Sequence, residues 1–237
     1  MNDMSLSHQQ RASVIDGVIQ NRKTLKVLGN LDSPIDIPDD FNTRIEESIK
    51  IANWAPFHYP ANEIHRQGDM SSVVPWRFYA LSQAMCLELG HCLTESPQSK
   101  TDKNSTIVRM LSACGGMVMV TWLPDPENNV EQTEKKKTAR QTVRDEHIAA
   151  AGAATQNLLL AAEARRMHTY WSSGGVLQSA ACFRLCGIPK DQKLMGAIFM
   201  FPEQHENMQT VPGKLRDKRG SQETWMSWVE INQEKTH

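Results

Sequence analysis

The chain has 237 residues, 26 basic and 27 acidic side chains, a formal net charge of -1 and 40% hydrophobic residues. That length is enough to bury a substantial core, and so balanced a charge gives no sign of a nucleic-acid surface or a supercharged tail, so any ligand must be held by local charge. The polar start "MNDMSLSHQQRASVID" lacks the apolar core of a signal peptide and no later run is long enough to span a bilayer, so a soluble cytoplasmic protein with no membrane or nucleic-acid partner is expected.

A first helical stretch ends near Arg22. In "SPIDIPDDFNTRIEESIKIANWAPF" the acids at the start, then Phe41, Ile45, Ile49 and Ala52 at helical spacing, predict a helix from about Asp39 to Trp54 that Pro56 stops. "HYPANEIHRQGDMSSVV" has no period and reads as a long loop, which in a compact domain is more often functional than idle. "PWRFYALS" is a strand, and the unbroken apolar run "GGMVMVTWLP" from Gly115 to Pro124 is another, covered on both faces. The charged stretch "DPENNVEQTEKKKTARQ" is expected to be a solvated loop or loose helix rather than a binding patch. The strongest helix is expected from Val143 to His168, apolar on nearly every face and therefore enclosed. Its small residues Ala149, Ala150, Gly152, Ala153 and Ala154 admit the close approach of a neighbouring helix or a second subunit. After the turn "YWSSGG", a helix in "SAACFRLCGIPK" is closed by Gly187 and Pro189, and "KLMGAIFMFP" is a buried strand. With no internal repeat, these elements predict one domain of mixed α/β or α+β architecture.

Familiar motifs are missing: there is no GxGxxG after a strand, no GxxxxGK[ST], no HExxH and no GxSxG. The five cysteines, Cys86, Cys92, Cys114, Cys182 and Cys186, form no repeated CxxC pairs, which argues against a disulfide framework or a zinc ribbon. Cys182 and Cys186 would share a helix face, with simple packing as their expected role. His58, Glu63 and His65 lie in one loop at a spacing that matches no standard metal site, so no metal is expected. What remains is three small clusters. Arg22, Lys23, Thr24 and Lys26 combine cations with a hydroxyl, the tools of phosphate binding, or are cations at an ordinary helix C-terminus. Lys214, Arg216, Lys218 and Arg219 follow a Pro-Gly turn and are either a second such cluster or a solvated turn. Between them in sequence, Tyr170 to Gly175 either lets a flat ligand rest on the backbone or simply joins two helices.

From about Gln20 to Trp228 the chain resembles the FMN-dependent nitroreductase family, through "NRKTLK", "WAPFHYP…VVPWRFYAL" and "GAATQNLLLAAEARRMHTYWSSGGVLQSAACFRLCGIPKDQKLMGAIFMFP" in that order. The resemblance implies an α+β fold: a mixed, mainly antiparallel sheet enclosed by helices, in an intertwined homodimer with two FMN molecules at the subunit interface. Residues 1–237 then form a single FMN-binding domain, with 1–20 as an N-terminal helical extension and 56–72 as a long active-site loop. By position Arg22 and Thr24, with Lys23 beside them, match residues that hold the FMN phosphate and ribityl chain. Lys26 matches a lysine near N1 and O2 of the ring, where a cation stabilises the charge of reduced flavin. Arg216 or Arg219, with Lys214 also a candidate, closes on the phosphate, and Trp171, Ser172, Ser173 and Gly174 lie against the ring and its N5 edge. Where the family often shows an asparagine and a glutamine, this chain has Ser71, Ser72, Val73 and Val74; Ser72 is the nearest match, and His65, Arg66 or Gln67 are further candidates. Trp54, Phe57 and Tyr59 pack or stack on a substrate, with core packing expected for Trp54.

The implied activity is hydride transfer from NADH or NADPH through FMN to a nitroaromatic, quinone or activated alkene, in ping-pong order and without a protein nucleophile. The alternative is a flavin-binding sensor, store or interaction protein without efficient turnover.

Overall fold

The computed structural model describes residues 6–95, 101–126, 134–204 and 208–231. Its centre is an antiparallel sheet of β2 (Trp76–Ser82), β3 (Gly116–Trp122), β5 (Lys193–Pro202) and β4 (Met167–Ser172), in that spatial order. Every residue of β3 is buried, as its unbroken apolar run requires. Period-two alternation divides the core. Met117, Met119, Ala197, Phe199 and Phe201 face α3 (Gln83–Glu95), α4 (Thr106–Leu111) and α6 (Ala180–Leu185). Val118, Val120, Ile198 and Met200 face α2 (Phe41–Ala52) and α5 (Glu134–Glu163). α2 buries Phe41, Ile45, Ser48 and Ala52, while Ile49 is half-buried at the rim of the same face.

A small ribbon lies at the β4 edge. β1 (Leu25–Leu28) pairs antiparallel with β6 (Gln209–Pro212), and Thr24 makes a parallel bridge to Thr169 of β4. Among the described residues the parallel component of the expected mixed sheet is confined to such a bridge, and the strand ladders are all antiparallel. α1 (His8–Asn21) precedes the ribbon, capped by Ser7 and Gln10 in a reciprocal capping box, and buries none of its residues.

Four expectations need correction. The helix predicted to reach His168 ends at Glu163, and Met167 opens a strand. The chain turns there through Arg166 at φ 59°, a left-handed position without the glycine or asparagine that usually announces it. The turn after Tyr170 therefore joins a strand to a 3₁₀ turn (Gly175–Gln178), not two helices. Trp54 is 84% exposed, because α2 ends at Ala52 and the indole lies past the core-facing stripe. α5 begins at Glu134, inside the segment read as a loop or loose helix, and leaves Ala149 and Gln156 exposed. Among the described residues no helix is long and apolar enough to cross a membrane.

Candidate functional site

Arg22 lies where α1 gives way to the ribbon, with φ -53° and ψ 122°, its N–H donating to Val18 O at 3.1 Å. Ribbon pairing then places the C-terminal cluster against it. Leu25 is in register with Pro212, and the Gly213 N–H donates to Thr24 O at 2.8 Å. A Cβ on Gly213 would sit 3.0 Å from the Thr24 Cβ, so glycine allows this close approach. Beyond it Arg216 reaches back 194 residues, donating from Nη1 to Arg22 O at 2.7 Å and from Nη2 to Gln20 O. Arg219 in turn donates to Arg216 O. Part of the Arg216 guanidinium is thus spent on carbonyls at the end of α1, the helix-terminus role that cations favour.

The result is a cleft of about 400 Å³ lined by Arg22, Lys23, Thr24, Lys214, Arg216 and Arg219, with Asp217 the one carboxylate among the described lining residues. Arg22 Nη1 lies 3.5 Å from Thr24 Oγ1. The acidity of Arg22 is raised, its pKa falling below the ordinary value, first through burial and then through repulsion from Arg216 and Arg219; Glu163 opposes the shift. Cations held together against their own repulsion, with a hydroxyl among them, form a receptor for a multiply charged oxyanion.

From this cleft β1 runs alongside β4. Lys26 follows Thr24 by two residues and places Nζ 4.9 Å from the centre of the Tyr170 ring. β4 leads into the Trp171–Gly175 turn, and its last residue, Ser172, lies about 10 Å along the strand from the Thr169 bridge at the ordinary rise per residue. The turn is fastened by its own side chains. Buried Ser172 accepts from the Gly174 N–H at 3.1 Å, and Gln178 Nε2 donates to Ser173 O. Gly174 has φ 112°, and a Cβ there would lie 2.5 Å from Leu194 Cδ2. Trp171, 37% exposed, donates from Nε1 to Met195 O at 3.4 Å, its indole crossing Gly196 where no Cβ would fit. Lys26 and this turn therefore share the β4 edge with the cationic cleft.

Ser72 lies elsewhere, on the long loop, and is not among the residues lining that cleft. Its carbonyl is one of four that receive the buried Arg77 guanidinium, with those of Val74, Trp76 and His65, at 2.7–2.8 Å. Arg77 was not singled out in the sequence, where a lone arginine inside "PWRFYALS" gives no sign that it staples a loop. His65 is buried, with Nε2 2.7 Å from Pro124 O and Nδ1 3.3 Å from Asp191 Oδ2, so its ring anchors the loop to the ends of β3 and β5. Both ring nitrogens are thereby engaged in holding the loop. Phe57 packs edge-on against Trp76, centroids 5.8 Å apart, while Tyr59 is 41% exposed. Among the described residues no group of histidine, cysteine and acidic side chains is arranged to hold a metal.

The model of the nitroreductase family matches residues 42–200. Among solved structures, the nitroreductase CinD from Lactococcus lactis in complex with nicotinic acid superposes with a TM-score of 0.61 at 14% identity, over 91% of this chain and 99% of that one. A nitroreductase-like family protein from Bacillus cereus gives 0.58 at 21% identity, over 92% of this chain and 96% of the other. A Staphylococcus epidermidis protein provisionally assigned as an NAD(P)H:FMN oxidoreductase gives 0.55 at 16% identity, over 91% and 95%. These likenesses establish the fold. No curated protein matches the sequence.

Proposed function

The chain belongs to the nitroreductase family, and on that premise we propose that it is an FMN-dependent oxidoreductase passing hydride from NADH or NADPH to a small organic acceptor in ping-pong order. The observation that carries this reading is the convergence of Arg22, Thr24, Lys214, Arg216 and Arg219 on one cleft at the β4 edge. A phosphate monoester, with two charges and three terminal oxygens, matches that set of donors. The flavin supplies the hydride-carrying atom when bound, so the protein need not provide a nucleophile.

The residues divide the remaining work. Arg22 and Thr24 hold the phosphate, with Lys23 beside them and Arg219 or the unspent donors of Arg216 closing over it. Lys26, steadied over Tyr170, offsets negative charge at the N1 and O2 edge of the ring. Trp171 and the fastened backbone of Ser172, Ser173 and Gly174 set the plane of the ring. Because the Gly174 N–H already serves Ser172 Oγ, the donor toward N5 is a neighbouring amide of the turn. Ser72 is the candidate for the pyrimidine edge.

The protein acts as an intertwined homodimer in this reading. Leu6, Val14, Ile15 and Ile19 at one end of the chain and Trp225, Trp228, Val229 and Ile231 at the other are all about half-exposed or more, apolar surface that a second subunit would cover. Steady-state oxidation of NADH and NADPH by the FMN-loaded protein, with a quinone or nitroarene as acceptor, tests the activity. Parallel double-reciprocal lines support it, and no turnover above free FMN would reject it.

A further inference from the structure

At the sheet end where β3 finishes and β5 begins, a cavity of about 530 Å³ is walled by Trp122, Pro124 and Lys193 and by Lys137, Arg140 and Arg144 of α5. Its volume falls in the range of roughly 300–1,000 Å³ usual for small-molecule sites. Helical spacing puts the three α5 cations on one face, and Lys193 meets them from the sheet. Asp125 is the one carboxylate on the described lining. The Arg144 guanidinium lies over the Trp122 indole, 5.8 Å from its centre, and Arg140 donates to Pro126 O. Among the described residues none of Arg140, Arg144 and Lys193 is paired with a carboxylate.

The cavity shares its sheet end with the Trp171–Gly175 turn. Trp122 is in register with Lys193, and the next residue, Leu194, is the one that Gly174 approaches. Lys193 of the cavity wall is thus the chain neighbour of Leu194, whose side chain meets the turn from the other face of the sheet.

We propose that this cavity binds the acidic group of the molecule that exchanges hydride at the flavin: a planar organic anion whose carboxylate or phosphate is held by Arg140, Arg144 and Lys193, with its apolar part along Trp122. The link to hydride exchange rests on the proposed oxidoreductase function; the anion site itself rests on the cavity. Guanidinium forks accept either oxyanion, so the anion belongs to an acidic acceptor or is the extra phosphate of the NADP form of the donor. The charged segment expected from sequence to be mere solvated surface thereby acquires a ligand.

The test is calorimetric binding to the FMN-loaded full chain, with nitrobenzoate compared to nitrobenzyl alcohol and NADP⁺ compared to NAD⁺. The anionic member of at least one pair should bind about tenfold more tightly, a difference that Arg140→Gln with Arg144→Gln reduces to about twofold. Lys193→Gln, a surface change on β5, should shrink the same preference and guards against a misfolded double variant. Preference within the nitro pair assigns the site to an acidic acceptor; preference within the nicotinamide pair assigns it to the donor phosphate. Equal binding within both pairs, or a preference that survives all these variants, overturns the inference. Flavin reduction without any preference would sink this inference alone, whereas preference without flavin reduction would sink the oxidoreductase reading and leave the anion site standing.

Discussion

Arg22→Gln separates phosphate recognition from structural support, because the two roles predict opposite signs. Arg22 is half-buried and repelled by Arg216 and Arg219, while the backbone bonds that Arg216 makes to Arg22 O and Gln20 O survive the substitution. Removing the cation relieves burial cost and repulsion in the ligand-free protein, so its melting temperature should hold or rise. With FMN the sign reverses. A hydrogen bond to a charged group is worth about 1.5–3 kcal/mol, so the FMN dissociation constant should rise by about ten- to a hundredfold. Riboflavin, which lacks the phosphate, should bind wild type and variant alike. Titration of the apoprotein with each flavin, followed by flavin fluorescence, gives both constants, and added salt should weaken FMN more than riboflavin. Unchanged FMN affinity together with a lowered melting temperature would refute the assignment and leave Arg22 as a helix-end residue.

Arg77→Met should destabilise the protein by about 3 kcal/mol or more in urea unfolding, since one buried guanidinium serves four carbonyls, and should expose the 65–74 loop to proteolysis. Gly174→Ala combines a left-handed φ with a Cβ 2.5 Å from Leu194; it should cost about 1–3 kcal/mol and weaken both FMN and riboflavin, in contrast to Arg22→Gln. Trp228→Ser with Ile231→Ser, at residues 88% and 87% exposed, should shift the protein from dimer to monomer in light scattering. Cys186 has its pKa lowered by the thiol of Cys182, whose own pKa that same contact, and then burial, push up; mass spectrometry after limited alkylation should find Cys186 modified before Cys182.

The sequence showed the core more readily than the connections. β5 was legible over its whole length because nine consecutive residues without a polar side chain past Lys193 need burial on both faces. α2 was legible from the spacing of Phe41, Ile45 and Ala52. The start of β4, Met167 and His168, was absorbed into the preceding helix, and the stretch from Tyr170 read as a turn, because Arg166 takes the left-handed position that glycine normally marks. β1 and β6 were missed because each has four residues and they pair across nearly the whole chain, a contact no local pattern encodes. α3 and α4 were not drawn out either; in α3 buried Cys86, Leu89 and Leu93 share their face with Gly90 and leave a weak stripe. For the site, the residue types were visible but their meeting was not. Arg22 and Arg216 each had a bland local reading, and only the ribbon brings them together. Trp54 misled because aromatic residues are usually packed, and a helix two residues shorter than expected leaves it in solvent.

The central claim is that a flavin on the β4 edge carries hydride between two molecules, and anaerobic reduction tests it most directly. The full chain is loaded with FMN, titrated with NADPH or NADH in the absence of oxygen, and then mixed with a quinone or nitroarene while the visible flavin absorption is followed. The account predicts bleaching by the reduced nicotinamide and full return of the band on adding acceptor, with the oxidised nicotinamide already released. A protein that binds FMN but does not bleach, or one that cannot bind FMN at all, would contradict it.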